Sequence, residues 1–184
     1  MKEKPRCFWV QGKSPIYIHY HDEEWGTPCH DDKLLYEFLI LECFQAGLSW
    51  ECILNKRPAF AKAYSSFDAQ KVAKFNDKKI SALMQDEGII RNRRKIEASI
   101  HNTRIFLEIQ KEFGSFDSYI WGFTRRKTIP ESCDLRTTSP LSDEISNDLR
   151  KRGMRFVGST TIYAYLQSIG IINGHTAECF RHPK

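Results

Sequence analysis

Leu41-Glu-Cys-Phe-Gln-Ala-Gly-Leu-Ser-Trp50 is the stretch from which the fold is read, because an acid stands in it where a core residue is expected. From Leu34 to Gln45 the apolar residues recur at helical spacing, and Leu35, Phe38, Leu39 and Glu42 share one stripe. A carboxylate taken out of water without a partner costs several kcal/mol. Glu42 is therefore paired with a cation such as an arginine, protonated, or held for a ligand. Gly47 can end the helix in a left-handed conformation, and Ser49 can cap a new one with Trp50 as its first residue. A buried acid then faces a turn carrying a leucine and a tryptophan.

Working outward, Asp31 caps this helix, and residues 1–30 form an aromatic- and histidine-rich layer without a clear period. That layer is read as ordered loop with at most a short helix. Pro58 suits the first turn of a helix running towards Tyr64. Asn76 caps a helix that ends at Gly88, and after Gly88-Ile-Ile90 a longer helix buries Ile96, Ile100, Thr103 and Leu107. Ser115 to Gly122 reads as a short helix and Thr124 to Thr138 as loop. Ser142 caps a helix ending near Gly153, Ser159 caps another running to Ile169 and closed by Gly170, and Ile171–Lys184 is loop. Strand signals are weak throughout. The reading is an all-α single domain over 1–184, with room for two lobes: a central one around the hairpin and one made by the two chain ends.

The 184 residues, 41% of them hydrophobic, suffice for one sizeable core. Lys and Arg number 28 against 23 acids, an excess compatible with nucleic acid but not diagnostic of it. No apolar run is long enough to span a membrane, and the charged start MKEKPRC is not followed by a signal-peptide core. A cytoplasmic location is expected. The six cysteines (7, 29, 43, 52, 133, 179) are scattered irregularly, which suggests thiols or metal ligands rather than a disulfide frame.

Three constellations carry chemistry. In Asp86-Glu-Gly-Ile-Ile-Arg-Asn-Arg-Arg-Lys95 a glycine between two helices exposes peptide N–H groups beside four cations, which suits a DNA phosphate; an ordinary hairpin with a solvated edge is the alternative. Arg150-Lys-Arg-Gly-Met-Arg155, ahead of Phe156–Thr161, offers a second such turn. Cys7 with His21, and His175 with Cys179, together supply four ligands for a tetrahedral structural zinc that would staple the chain ends; His19, His30, His182 and Cys29 compete on spacing alone. Tyr20, Trp25 and Trp50 are either core or, around Glu42, walls for stacking a base whose polar edge the carboxylate receives.

Together these residues resemble the 3-methyladenine DNA glycosylase I family of the helix-hairpin-helix superfamily. The resemblance runs through RCFWV (6–10), YHDEEWGTP (20–28), LECFQAGLSW (41–50), GIIRNRRKI (88–96), KRGMRFVGSTT (151–161) and HTAEC (175–179). It implies a monofunctional enzyme that removes 3-methyladenine from alkylated double-stranded DNA, works as a monomer and carries structural Zn2+ on Cys7, His21, His175 and Cys179. It further implies that Glu42 recognises the base and acts in catalysis, that Tyr20 and Trp50 stack on it with Trp25 nearby, and that Leu48 fills the gap in the duplex. The hairpin residues Gly88, Ile89, Ile90, Arg91, Arg93 and Lys95 match the phosphate-binding element. Cys43 and Phe44 depart from the family pattern beside Glu42, and the first loop is a residue longer. Other readings are a non-catalytic reader of alkylated DNA, a glycosylase with lyase activity, which needs a lysine nucleophile in the pocket, and an RNA-binding module.

Overall fold

The computed structural model describes residues 4–131 and 136–182; Cys133 lies outside them. After a 3-10 turn at Phe8–Val10, the chain forms α1 (Pro15–Glu23), α2 (Asp32–Gln45), α3 (Trp50–Ala63), α4 (Ala69–Val72) and α5 (Asp77–Gln85). It continues through α6 (Arg93–Phe113), α7 (Phe116–Gly122), β1 (Ile129–Pro130), α8 (Pro140–Lys151), α9 (Ser159–Ser168) and β2 (Ile172–Asn173).

The centre is α2. Every residue from Phe38 to Phe44 is buried, so this helix is covered on all sides rather than along one stripe. It packs against α3, α6, α7 and α9. Asp31 caps it through the Leu34 amide at 2.9 Å, and Ser49 caps α3 through the Cys52 amide at 3.2 Å, as expected. Gly47, at φ 79°, makes the turn between them.

Several expectations need correction. Pro58 starts no helix; it lies inside α3, where burial of Ile53, Leu54, Phe60 and Ala63 outweighs the hydrogen bond lost at the Leu54 carbonyl. The helix capped by Asn76 stops at Gln85, before Gly88. Ser139 rather than Ser142 caps α8, because Pro140 fixes the first helical position and Ser142 closes a reciprocal capping box. Gly158 takes the N-cap of α9, since the Ser159 hydroxyl is drawn to Ser142 at 2.8 Å. The all-α reading holds except for a ribbon of two short parallel strands, which pair Ile129 with Ile172 and Pro130 with Asn173.

That ribbon belongs to a layer built by both ends of the chain. Gly26 N–H donates to Gln167 O at 2.8 Å, Cys29 N–H to Ile169 O at 3.0 Å, and Phe180 N–H to Pro5 O at 2.9 Å. Gly170, at φ 73°, lies so close to the Thr27–Pro28 backbone that no Cβ fits there.

Candidate active site and metal centre

Glu42 is 2% exposed. Its Oε1 accepts a 2.6 Å hydrogen bond from the Ser168 hydroxyl, which lies 2.8 Å from the Tyr20 hydroxyl. The second oxygen, Oε2, has no partner, and neither has the buried Trp50 Nε1. Burial pushes the Glu42 carboxyl up to about 8, against the opposing effect of the Ser168 donor. Glu42 is thus not half of a core ion pair, and one of its oxygens is unanswered.

Glu42 lines a cavity of about 370 Å³. Tyr20 and Trp50, with ring centroids 5.4 Å apart, stand in its wall beside Trp25. All four residues expected to recognise a base are thus brought together. Gln45, Gln167 and Ser168 also line it, and sequence reasoning missed them. Ser168 did carry a signal: it is a hydroxyl at helical spacing from the buried Tyr165 on α9, as Glu42 is an acid on the stripe of α2. No lysine lines this cavity among the described residues.

A groove shares the Glu42, Gln45 and Gln167 wall and continues past Gly47 and Leu48 to Thr160 and Thr161 in the first turn of α9. Leu48 is 40% exposed at its edge. Gly158 brings no side chain to cap α9, so the first amides of that helix are open to an anion.

The hairpin at 86–92 is different. Gly88 N–H donates to Asp86 Oδ1 at 2.9 Å and Ile89 N–H to Asp86 O at 3.3 Å, while the Ile89 side chain is buried. A Cβ at Gly88 would meet Ala59 Cβ at 2.8 Å, so this glycine serves the approach to α3. Arg91 and Arg93 are exposed, in ion pairs with Glu87 and Glu97. Lys95 is turned inward, and its Nζ donates to Phe44 O at 2.8 Å and Ala46 O at 2.6 Å. The carbonyls at the end of α2 hold it away from any phosphate, contrary to the expectation for it. Ile90 is half-buried, next to these cations.

Behind the Trp25 wall, the ligand atoms of Cys7, His21, His175 and Cys179 all lie within 4.8 Å of one another. The sulfur–nitrogen separations are 3.5 Å (Cys7–His175), 3.5 Å (Cys179–His21) and 3.4 Å (Cys179–His175). Zinc–sulfur and zinc–nitrogen bonds at tetrahedral angles require about 3.6 Å. The remaining ring nitrogens are also satisfied: His21 Nδ1 lies 2.8 Å from Asp22 Oδ1, and His175 Nε2 lies 3.1 Å from Trp25 O. Burial pushes the Cys7 thiol up to about 12, so a thiolate there calls for a cation. The donor set fits a metal ion. His19, His30, His182 and Cys29 stand outside the cluster.

The methyladenine glycosylase family model matches residues 9–182. The chain belongs to this family. A curated relative from Haemophilus influenzae, DNA-3-methyladenine glycosylase, is 42% identical over 95% of this chain and 96% of its own. DNA-3-methyladenine glycosylase 1 of Escherichia coli is 40% identical over 97% of each chain. Among solved members, a 3-methyladenine DNA glycosylase I superposes with a TM-score of 0.93 at 39% identity, covering 97% of this chain and all of that one. A variant of such an enzyme in complex with 3-methyladenine gives 0.92 at 32% identity, covering 97% of this chain and 98% of that one. The family membership expected from the motifs is thereby established, and the chain is a glycosylase.

Proposed function

We propose that this chain hydrolyses the N-glycosidic bond of 3-methyladenine in alkylated double-stranded DNA. The observation that carries the reading is the unpartnered Glu42 Oε2 at an aromatic-walled cavity. The flipped base would stack on Tyr20 and Trp50, with Trp25 completing the wall, while Glu42 accepts hydrogen bonds from the adenine edge. Methylation at N3 leaves the ring cationic. When the C1′–N9 bond breaks, its electron pair quenches that charge and a neutral base departs, so no strong acid is required. Water then adds at C1′ and releases a proton. The cationic lesion would draw the proton off the buried Glu42 carboxyl, and the resulting carboxylate favours the oxocarbenium-like transition state. The absence of a pocket lysine among the described residues supports base release without strand cleavage.

Leu48 is the residue to fill the vacated stack, with phosphates received at the first turn of α9 and along the Arg91 and Arg93 flank of the hairpin. The bound ion would be structural zinc, held by Cys7, His21, His175 and Cys179 and fixing the chain ends behind Trp25. No helix among the described residues is long and apolar enough to cross a membrane. The working form is taken as one monomeric domain acting on DNA in the cytoplasm.

The test is chromatography of bases released from methylated duplex DNA. Wild type should release 3-methyladenine and Glu42→Gln far less. Undiminished release by the variant would remove Glu42 from the chemistry. Lesion binding by wild type without release would leave a non-catalytic reader.

A further inference from the structure

Two lysines fasten the hairpin to the elements that carry the cavity. Lys56 on α3 donates from Nζ to the carbonyls of Glu87 at 2.9 Å and Gly88 at 3.3 Å. Lys95, in the first turn of α6, reaches the other end of the same assembly at Phe44 O and Ala46 O. Lys95 is 8% exposed and has no carboxylate partner among the described residues. Its charge is met by the negative end of the α2 dipole, where carbonyls lack helical donors.

The segment it grips is short. Ala46 leaves the helix at φ −42° and ψ 114°, Gly47 turns at φ 79°, Leu48 projects, and Ser49 caps the helix that begins with Trp50. One ammonium therefore fixes the root of a turn with an exposed leucine at its tip and a cavity-wall tryptophan at its far end. Lys95 itself lines neither the cavity nor the adjoining groove.

We propose that Lys95 is a positioning residue for engagement of duplex DNA: it locks the root of the Ala46–Ser49 turn so that Leu48 stands out into the base stack, while Trp50 keeps its place through the packing of α3. This rests on the function proposed above. A lysine in this place ties the turn to α6, so the two meet the duplex as one rigid surface. The Glu42, Ser168 and Tyr20 contacts do not pass through it. Loss of Lys95 is thus felt with duplex DNA and scarcely with the free base.

The experiment compares two readouts: release of 3-methyladenine from alkylated duplex DNA at enzyme excess, and binding of free 3-methyladenine. It uses wild type, Lys95→Met, Lys95→Arg, Leu48→Ala and the Lys95→Met/Leu48→Ala pair. Lys95→Met is expected to slow duplex excision by about tenfold and to change free-base binding by less than about twofold. Arginine, which can also donate to two carbonyls, restores most of the rate. The double variant is no slower than the slower single one, because both changes act through one turn. Unchanged duplex excision in Lys95→Met, an equal fall in free-base binding, or multiplying losses in the pair would each overturn the proposal. If Lys95→Met does not fold, Lys95→Gln takes its place under the same criteria. A wild type that releases no base sinks the proposed function, whereas an active wild type matched by Lys95→Met sinks only the role of Lys95.

Discussion

The Ser168 hydroxyl lies 2.6 Å from Glu42 Oε1, and the Tyr20 hydroxyl lies 2.8 Å from Ser168. Tyr20 donating to Ser168, and Ser168 to Glu42, is the one direction that uses both protons along this line. The relay leaves Oε2 free for a ligand. Ser168→Ala removes the donor that opposes the effect of burial, so the Glu42 carboxyl should rise further. Base affinity near neutral pH should fall by about tenfold, the size expected for one hydrogen bond to a charged group. Calorimetric titration with 3-methyladenine measures it; an unchanged affinity would place Ser168 outside recognition.

Glu42→Gln should also change stability with pH. The folded carboxyl sits near 8 against an ordinary 4.5. Its burial is therefore tolerated fully while it is protonated, below about pH 4.5, and that stability is lost as pH rises through 8. Glutamine does not titrate. The variant should gain on wild type progressively between pH 5 and 8 by on the order of a few kcal/mol and hold that gain above pH 8. Denaturant unfolding across this range checks it. A constant difference would mean that Glu42 ionises without cost in the fold.

Metal content is the next measurement. Purified protein should contain about one zinc per chain. Cys179→Ala should lower both zinc content and melting temperature. Because Trp25 O holds His175 and the Trp25 ring stands in the cavity wall, removing the ion with a chelator should also weaken base binding. Full stability in metal-free protein would reduce the four ligands to packing.

Trp50 separates stacking from its indole N–H. That N–H is buried without a partner, so Trp50→Phe sacrifices no hydrogen bond. Trp50→Phe should keep most base affinity, while Trp50→Ala should lose roughly 1–3 kcal/mol of it. Equal losses in both variants would point to the N–H as the recognition element.

Gly170→Ala addresses the seam between the chain ends. A Cβ there collides with the Thr27 carbonyl group and Pro28 N, and φ is +73°. Destabilisation by about 3 kcal/mol or more is expected in thermal or denaturant unfolding. A wild-type midpoint would show that the seam can open without loss.

Much of the site was legible because its residues violate local patterns. Glu42 on an apolar stripe, Ser49 before Trp50, and His175 close before Cys179 all carry their meaning within a few positions. What was not legible depends on direction in space. Lys95 looks like one more cation of a basic run, and only the open carbonyls at the end of α2 draw it inward. The hairpin amides invite a phosphate in sequence, yet Asp86 takes those of Gly88 and Ile89. Ser142 and Ser159 are both plausible caps, but Pro140 and the capping box with Ser139 move the α8 cap three residues earlier, and Gly158 replaces Ser159 one residue earlier. The strand pair is two residues long on each side, too short for any alternation to register.

Glu42 is linked to Tyr20 through the Ser168 hydroxyl, and Tyr20 and Ser168 are 148 positions apart. No continuous piece of this polypeptide that stops before Ser168 contains the acid together with its relay. A chain still emerging from the ribosome, or one clipped within α9, has the aromatic wall of α1 and the carboxylate of α2 without the hydroxyl between them. The complete grip on a base thus exists only once α9 has been made and packed.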